Sequence, residues 1–136
     1  MHELICYTDG AQSWGSAGIG LVFVLENSII NTFYKNFKGI TNNQAELLAV
    51  IHALNFINKP LKKLTIITDS QYVLGCAVKG WKRSKNQKYW QLYDKVYQKC
   101  LELCPNIEIK WVKGHDSNRF NELADKLAVK AKTNGE

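Results

Sequence analysis

No stretch of this chain is apolar for long enough to cross a bilayer, and its N-terminus lacks the basic-then-apolar pattern of a signal segment. That removes a chain held in a membrane by its own helices and makes the cytoplasm the expected compartment. The four cysteines (Cys6, Cys76, Cys100 and Cys104) form no CxxC pair and no metal-finger spacing, so they read as buried free thiols in a reducing environment. Internal repeats, low-complexity tracts and linkers are also missing. What is present is a 136-residue chain, 46% hydrophobic and with four tryptophans, enough for one globular domain spanning 1–136 and too little for two. A net charge of +6 permits a polyanionic partner without requiring one.

The hydrophobic periods set out the elements. Residues 4–10, Leu-Ile-Cys-Tyr-Thr-Asp-Gly, read as a strand apolar on both faces that stops at Asp9, as expected in the middle of a covered sheet. A polar connection, residues 11–16, leads to a second strand over 17–25. Glu26-Asn27-Ser28 turns the chain into a third, 29–37, completing an antiparallel meander. The period then changes. Thr41, with Gln44 three residues later, is a capping box opening a helix that ends near Asn58-Lys59-Pro60. Residues 64–68 form another continuous apolar strand, stopping at Asp69, and a helix follows to about Val78. A basic segment without any acidic residue from Ser70 to Tyr93 precedes a helix closed by Pro105. The alternating run 107–112 is a fifth strand, and a last helix covers about 119–132. The order βββ-α-β-α-α-β-α implies an α/β fold with a five-stranded mixed sheet flanked by helices. Strands one and four should be parallel neighbours, with Asp9 and Asp69 at the same C-terminal edge, where open α/β sheets place their sites.

Each acidic residue has a plain reading as well as a functional one. Asp9-Gly10 can open a turn, Asp69 can cap the helix after it, Glu46 can be a solvated helix residue, and Asp125 can pair with a neighbouring lysine. Taken as a set they suggest a carboxylate cluster. Clustered carboxylates repel unless a cation neutralises them. Oxygen-only donors suit Mg²⁺, with Mn²⁺ as a substitute. Two such ions about 4 Å apart can hold the attacking and leaving oxygens of an in-line phosphoryl displacement.

Five segments in order carry a resemblance: Tyr-Thr-Asp-Gly at 7–10, Thr-Asn-Asn-Gln-Ala-Glu-Leu at 41–47, Thr-Asp-Ser-Gln-Tyr-Val at 68–73, Trp-Val-Lys-Gly-His at 111–115 and Asn-Glu-Leu-Ala-Asp-Lys-Leu-Ala at 121–128. Over nearly its whole length the chain resembles type 1 ribonuclease H. The resemblance implies the ribonuclease H-like fold. It also implies a two-metal endonuclease that hydrolyses the RNA strand of RNA–DNA hybrids, leaving 5′-phosphate and 3′-hydroxyl ends. On that basis Asp9, Glu46, Asp69 and Asp125 are the metal ligands, with Asp9 bridging two Mg²⁺ ions. His115 matches the loop histidine that assists proton transfer or product release.

The same resemblance assigns Asn42, Asn43 and Gln71 to the minor groove, where amides answer both roles of the 2′-hydroxyl. Thr41 and the amides of its helix start can hold a DNA phosphate. Residues 79–88 correspond to the family's basic protrusion, shortened here to a loop, with Trp81, Lys82, Lys85 and Asn86 as its expected contacts. A shorter grip implies weaker affinity and stronger salt sensitivity. The first connection, Ala-Gln-Ser-Trp-Gly-Ser at 11–16, replaces a glycine-rich one, so no contacts carry over there. The loop after His115 lacks the usual glycines. The chain is expected to act as a monomer, and its start at Met1 favours a free-standing enzyme over a piece of a reverse transcriptase. The competing readings are a hybrid-binding module without catalysis and a nuclease or strand-transfer enzyme of the same fold that acts on DNA.

Overall fold

A computed structural model of the chain describes residues 2–114 and 118–134. Its elements run β1 (Glu3–Ser13), β2 (Ser16–Leu25), β3 (Ser28–Lys38), α1 (Asn42–Asn55), β4 (Lys63–Thr68), α2 (Gln71–Ala77), α3 (Gln87–Leu103), β5 (Ile107–Trp111) and α4 (Arg119–Asn134). The sheet order is β3-β2-β1-β4-β5, antiparallel on the β3 side and parallel on the β5 side. This is the architecture expected from the sequence. No helix of the described residues is long and apolar enough to cross a membrane.

The central strands are apolar on both faces because both are covered. Leu4 and Cys6 join the core beneath α1, whereas Ile5 and Tyr7 pack with Val22, Val24 and Phe120 of α4 on the opposite side. α3 lies outside α1 rather than on the sheet, burying Trp90, Tyr93, Val96 and Cys100. All four cysteines are free and buried.

The meander differs from the reading of the sequence at β1. The strand does not stop at Asp9. It continues to Ser13, Asp9 pairs with Gly20, and Gly10 is a strand residue rather than a turn. The expected polar connection over 11–16 shrinks to Trp14 and Gly15, with φ of 53° and 78°. Glu26 and Asn27 close the second hairpin with φ of 50° and 66°. Two-residue turns with both residues left-handed match the twist of the strands they join. The cause of the extension is the neighbour: β4 ends, but β2 continues to offer hydrogen bonds to β1.

The helix boundaries follow their caps. Thr41 Oγ1 accepts from Gln44 N at 3.1 Å while Thr41 N donates to Gln44 Oε1 at 2.9 Å, the reciprocal capping box read from the sequence. α1 ends at Asn55, with Phe56 as its C-cap, earlier than the Asn58-Lys59-Pro60 stop signal suggests.

His52 of α1 is half-buried between Phe33 and Phe37 of β3, with ring centroids 5.9 and 5.8 Å away. Burial lowers its pKa, Lys35 lowers it further, and the Leu48 carbonyl at 3.0 Å opposes both. The unfolded chain therefore takes up a proton near pH 6.5 before the folded one does. His52 contributes its stability fully above that pH, and the contribution is lost as pH falls through the folded pKa. Urea unfolding from pH 7 to pH 5 should show a smaller acid-side loss in His52→Gln than in the wild type. Parallel pH profiles would contradict this.

Candidate active site

Where β1 outruns β4, the two strands part. The parallel register ends at Tyr7 opposite Ile67, and Thr8 Oγ1 donates to the Ile67 carbonyl at 2.8 Å across the opening. Two residues further along each segment lie Asp9, still within β1, and Asp69, the first residue past the end of β4. The backbone around Asp69 is held independently of its side chain. Trp111 Nε1 donates to Asp69 O at 3.0 Å, and Val112 N donates to Thr68 O at 2.9 Å. The cap of α2 is Ser70, whose Oγ accepts from Val73 N at 3.1 Å. Asp69 is thus not a helix cap, and its carboxylate is left for other work.

Gly10 brings in the third carboxylate. A Cβ there would lie 2.6 Å from Glu46 N, so only glycine lets the first turn of α1 press against β1. The close approach lets Gly10 N donate to Glu46 Oε1 at 2.7 Å, and Glu46 is 7% exposed. The solvated-helix reading of Glu46 is thereby excluded. One ligand oxygen from each of Asp9, Glu46 and Asp69 lies within 4.8 Å of the others.

Asp125 completes the group from α4. It lies within hydrogen-bonding reach of Asp9 and lines a hollow of about 30 Å³ with Asp69, Asn121 and Glu122. Among the described residues the ion pairs are Lys62–Glu3, Lys63–Glu108 and Arg83–Asp94, so the lysine-pairing account of Asp125 has no support. Asn121 and Glu122 were not singled out from the sequence as site residues. The spacing of Asn121 and Asp125, one helical turn apart, was the signal that could have found Asn121.

The electrostatics of this cluster are unfavourable for bare carboxylates. Burial raises the Asp9 pKa to about 8, with Asp69 and Asp125 adding to it. Glu46 is raised well above the usual carboxylate range, first by burial and then by Asp9 and Asp69. Asp69 Oδ1 is buried without a hydrogen-bond partner among the described residues. An orphaned carboxylate oxygen facing other carboxylate oxygens, with no sulfur or imidazole in the set, fits a hard divalent cation.

Most of the residues expected to meet substrate are exposed at helix starts and on the basic loop. Thr41, Asn42 and Asn43 are exposed at the start of α1, and Gln71 is exposed at the start of α2. Gln44 Nε2 donates to Asn86 Oδ1 at 3.0 Å, and Asn86 Nδ2 donates to Tyr72 OH at 2.9 Å, which Trp90 Nε1 also reaches at 2.9 Å. The side chain of Asn86 therefore joins α1 to the start of α3. Trp81, Lys82 and Lys85 are exposed. Arg83, by contrast, turns inward, with its guanidinium 4.4 Å from the Trp90 ring, Nε donating to Cys76 O and Nη1 on Asp94. His115, with Asp116 and Ser117, lies outside the described residues.

A raised pKa means that the folded protein holds a proton on Asp9 which the unfolded chain gives up near pH 3.8. Ionising it in the metal-free protein costs stability, and the cost grows as pH rises from about 4 towards 8. Asp9→Asn should raise metal-free stability at pH 8 by about 1–3 kcal/mol, a gain that shrinks towards pH 4. Thermal unfolding in EDTA and in Mg²⁺ is the measurement, with Mg²⁺ stabilising the wild type more than the variant. Equal stability at pH 8, with no difference in the Mg²⁺ response, would count against a strained carboxylate cluster.

Comparison with known proteins gives a consistent picture. The ribonuclease H family matches residues 1–133. A ribonuclease H of Trichodesmium erythraeum is 36% identical over 140 residues, spanning 95% of this chain and 88% of its own length. The fold is similar to that of ribonuclease H1 from the halophilic archaeon Halobacterium salinarum, with TM-score 0.78 and 25% identity over 97% of this chain and 98% of that one. It is similar also to LC11 ribonuclease H1, solved in complex with an RNA/DNA hybrid, with TM-score 0.73 and 22% identity over 96% and 97% of the two chains. Agreement over nearly the full length, with the carboxylates gathered at one sheet edge, leads to one assignment: the chain belongs to the ribonuclease H family, type 1.

Proposed function

We propose that this endoribonuclease cuts the RNA strand of RNA–DNA hybrids by a two-metal-ion mechanism, leaving 5′-phosphate and 3′-hydroxyl ends. The observation that carries the reading is the buried cluster of Asp9, Glu46 and Asp69, with an unpartnered Asp69 oxygen, in a chain of this family. Asp9, Glu46, Asp69 and Asp125 would hold the cations, Mg²⁺ by preference and Mn²⁺ as a substitute. Bound there, a pair of divalent ions supplies a lowered pKa for the attacking water and counter-charge for the leaving 3′ oxygen. The protein's own part is to fix four carboxylates in position before substrate arrives, with bound cations offsetting the burial that otherwise favours the protonated forms of Asp9 and Glu46, so that little reorganisation is needed at reaction. His115 assists proton transfer or product release.

Recognition rests on exposed polar groups around a rigid edge. Asn42, Asn43 and Gln71 answer the 2′-hydroxyl of the cut strand, and Thr41 with the amides of the α1 start holds a phosphate of the other. Trp81, Lys82 and Lys85 grip the hybrid beyond the active site, with Asn86 fixing the end of their loop. A relative of the same fold, LC11 ribonuclease H1, has been solved with an RNA/DNA hybrid, which supports the substrate class. We place the protein in the cytoplasm as a monomer, in keeping with four buried free thiols.

With Mg²⁺ and matched RNA–DNA, RNA–RNA and DNA–DNA duplexes, only the hybrid should be cut, and Asp9→Asn should lose at least about 10³-fold in rate. Equal cutting of DNA–DNA would favour a DNA nuclease on the same fold. Undiminished activity in Asp9→Asn would exclude the metal-ligand role. For the basic loop, Lys82→Ala combined with Lys85→Ala should reduce the slope of log K against log salt for hybrid binding by up to about 2. An unchanged slope would make the loop a solvated surface only.

A further inference from the structure

The β1–β2 arm ends in a residue that neither the fold nor the active site explains. Trp14 is 100% exposed, the largest aromatic side chain of the protein held wholly in water. Its φ of 53° puts it in the left-handed region, at the first position of a two-residue turn where asparagine or glycine is the ordinary choice. A bulky side chain there is disfavoured by its backbone and gains nothing from packing. Residues that break local preference in this way cluster at functional positions.

The tip is also held rigidly. Gly39 N donates to Gly15 O at 3.0 Å, tying the turn to the end of β3. Asn36 Nδ2 lies 2.9 Å from Ser16 Oγ and 3.0 Å from the Ala131 carbonyl of α4, and Ser16 Oγ donates to Lys132 O at 2.8 Å. The chain beyond Gly39 leads in two residues to Thr41, and then to Asn42 and Asn43. Trp14 and the asparagine pair are therefore mounted on one connected piece. Lys38, exposed, pairs with Ser16 in the sheet register, and no acidic residue occurs from Gly10 to Leu25 or from Asn27 to Ala45. An indole and an ammonium on segments that carry no acidic residue of their own match a phosphate-bearing partner better than a protein surface.

We propose that Trp14 is a substrate-contacting residue whose indole packs against the ribose edges in the minor groove of the hybrid, away from the scissile bond. Trp14 lies five residues beyond Asp9 along the hairpin, about 17 Å, or roughly five base pairs of duplex. There it supplies binding on the side of the active site opposite the short basic loop. The inference rests on the hybrid reading above.

The test compares wild type, Trp14→Gly and Trp14→Phe on hybrids with twelve base pairs on both sides of the preferred cut, and on hybrids shortened to three base pairs on one side or the other. Glycine suits the left-handed position, so Trp14→Gly should keep or raise Tm. On the long hybrid its KM should rise about tenfold with kcat unchanged, and Trp14→Phe should recover much of the loss. Shortening one particular side should cost the wild type the same factor and cost Trp14→Gly little. Cleavage by all three proteins with the same KM overturns the role of Trp14 alone, as does a KM rise that comes with a fall in Tm and in kcat. Failure of the wild type to cleave any hybrid overturns the substrate reading and this inference with it.

Discussion

Four carboxylates converging at one sheet edge repel one another, and everything near that edge serves to hold them there. A flexible scaffold would relieve the repulsion by moving apart. Here Asp9 is fixed by pairing with β2, Asp69 by the Trp111 indole N–H on its carbonyl and by Ser70 N donating to Thr68 Oγ1 across it, and Glu46 by the amide of Gly10. Each anchor comes from a different element, so no single local unfolding frees them all. The cluster accumulates unfavourable charge that a cation relieves, and stability is traded for readiness.

The hydrogen bonds that hold the backbone around the site are of one kind: neutral hydroxyl and amide side chains make them, so that the carboxylates remain available. Thr8 bridges the parting strands, Ser70 caps α2, and Thr41 with Gln44 caps α1. Had Asp69 capped its own helix, its oxygens would have been occupied by N–H groups. Placing serine next to it separates the capping task from the binding task.

Much of this was legible in the sequence. Continuous apolar strands, a change of period at Thr41 and the meander followed by alternation were enough for the element order and for the adjacency of Asp9 and Asp69. The extent of β1 was not legible, because a strand's end depends on whether its neighbour continues, and Asp-Gly is a turn signal wherever it falls. Gly10 was assigned to the wrong task for the same reason, since its need for no side chain arises from α1, 36 residues away. Arg83 looked like one more cation of a basic run. Only tertiary structure shows its guanidinium spent on Trp90 and Asp94.

The Gln44–Asn86–Tyr72 linkage has a consequence for how this surface can vary. The same glutamine that closes the capping box of α1 also grips the residue where the basic loop ends, while Arg83 ties the middle of that loop to Cys76 and Asp94. The segment between those two ties is Ser84 and Lys85 alone. Its length is decoupled from the acidic centre, so basic residues added there would enlarge the cationic surface without disturbing a single carboxylate oxygen of the cluster. Reach and chemistry are separately adjustable parts of one small domain.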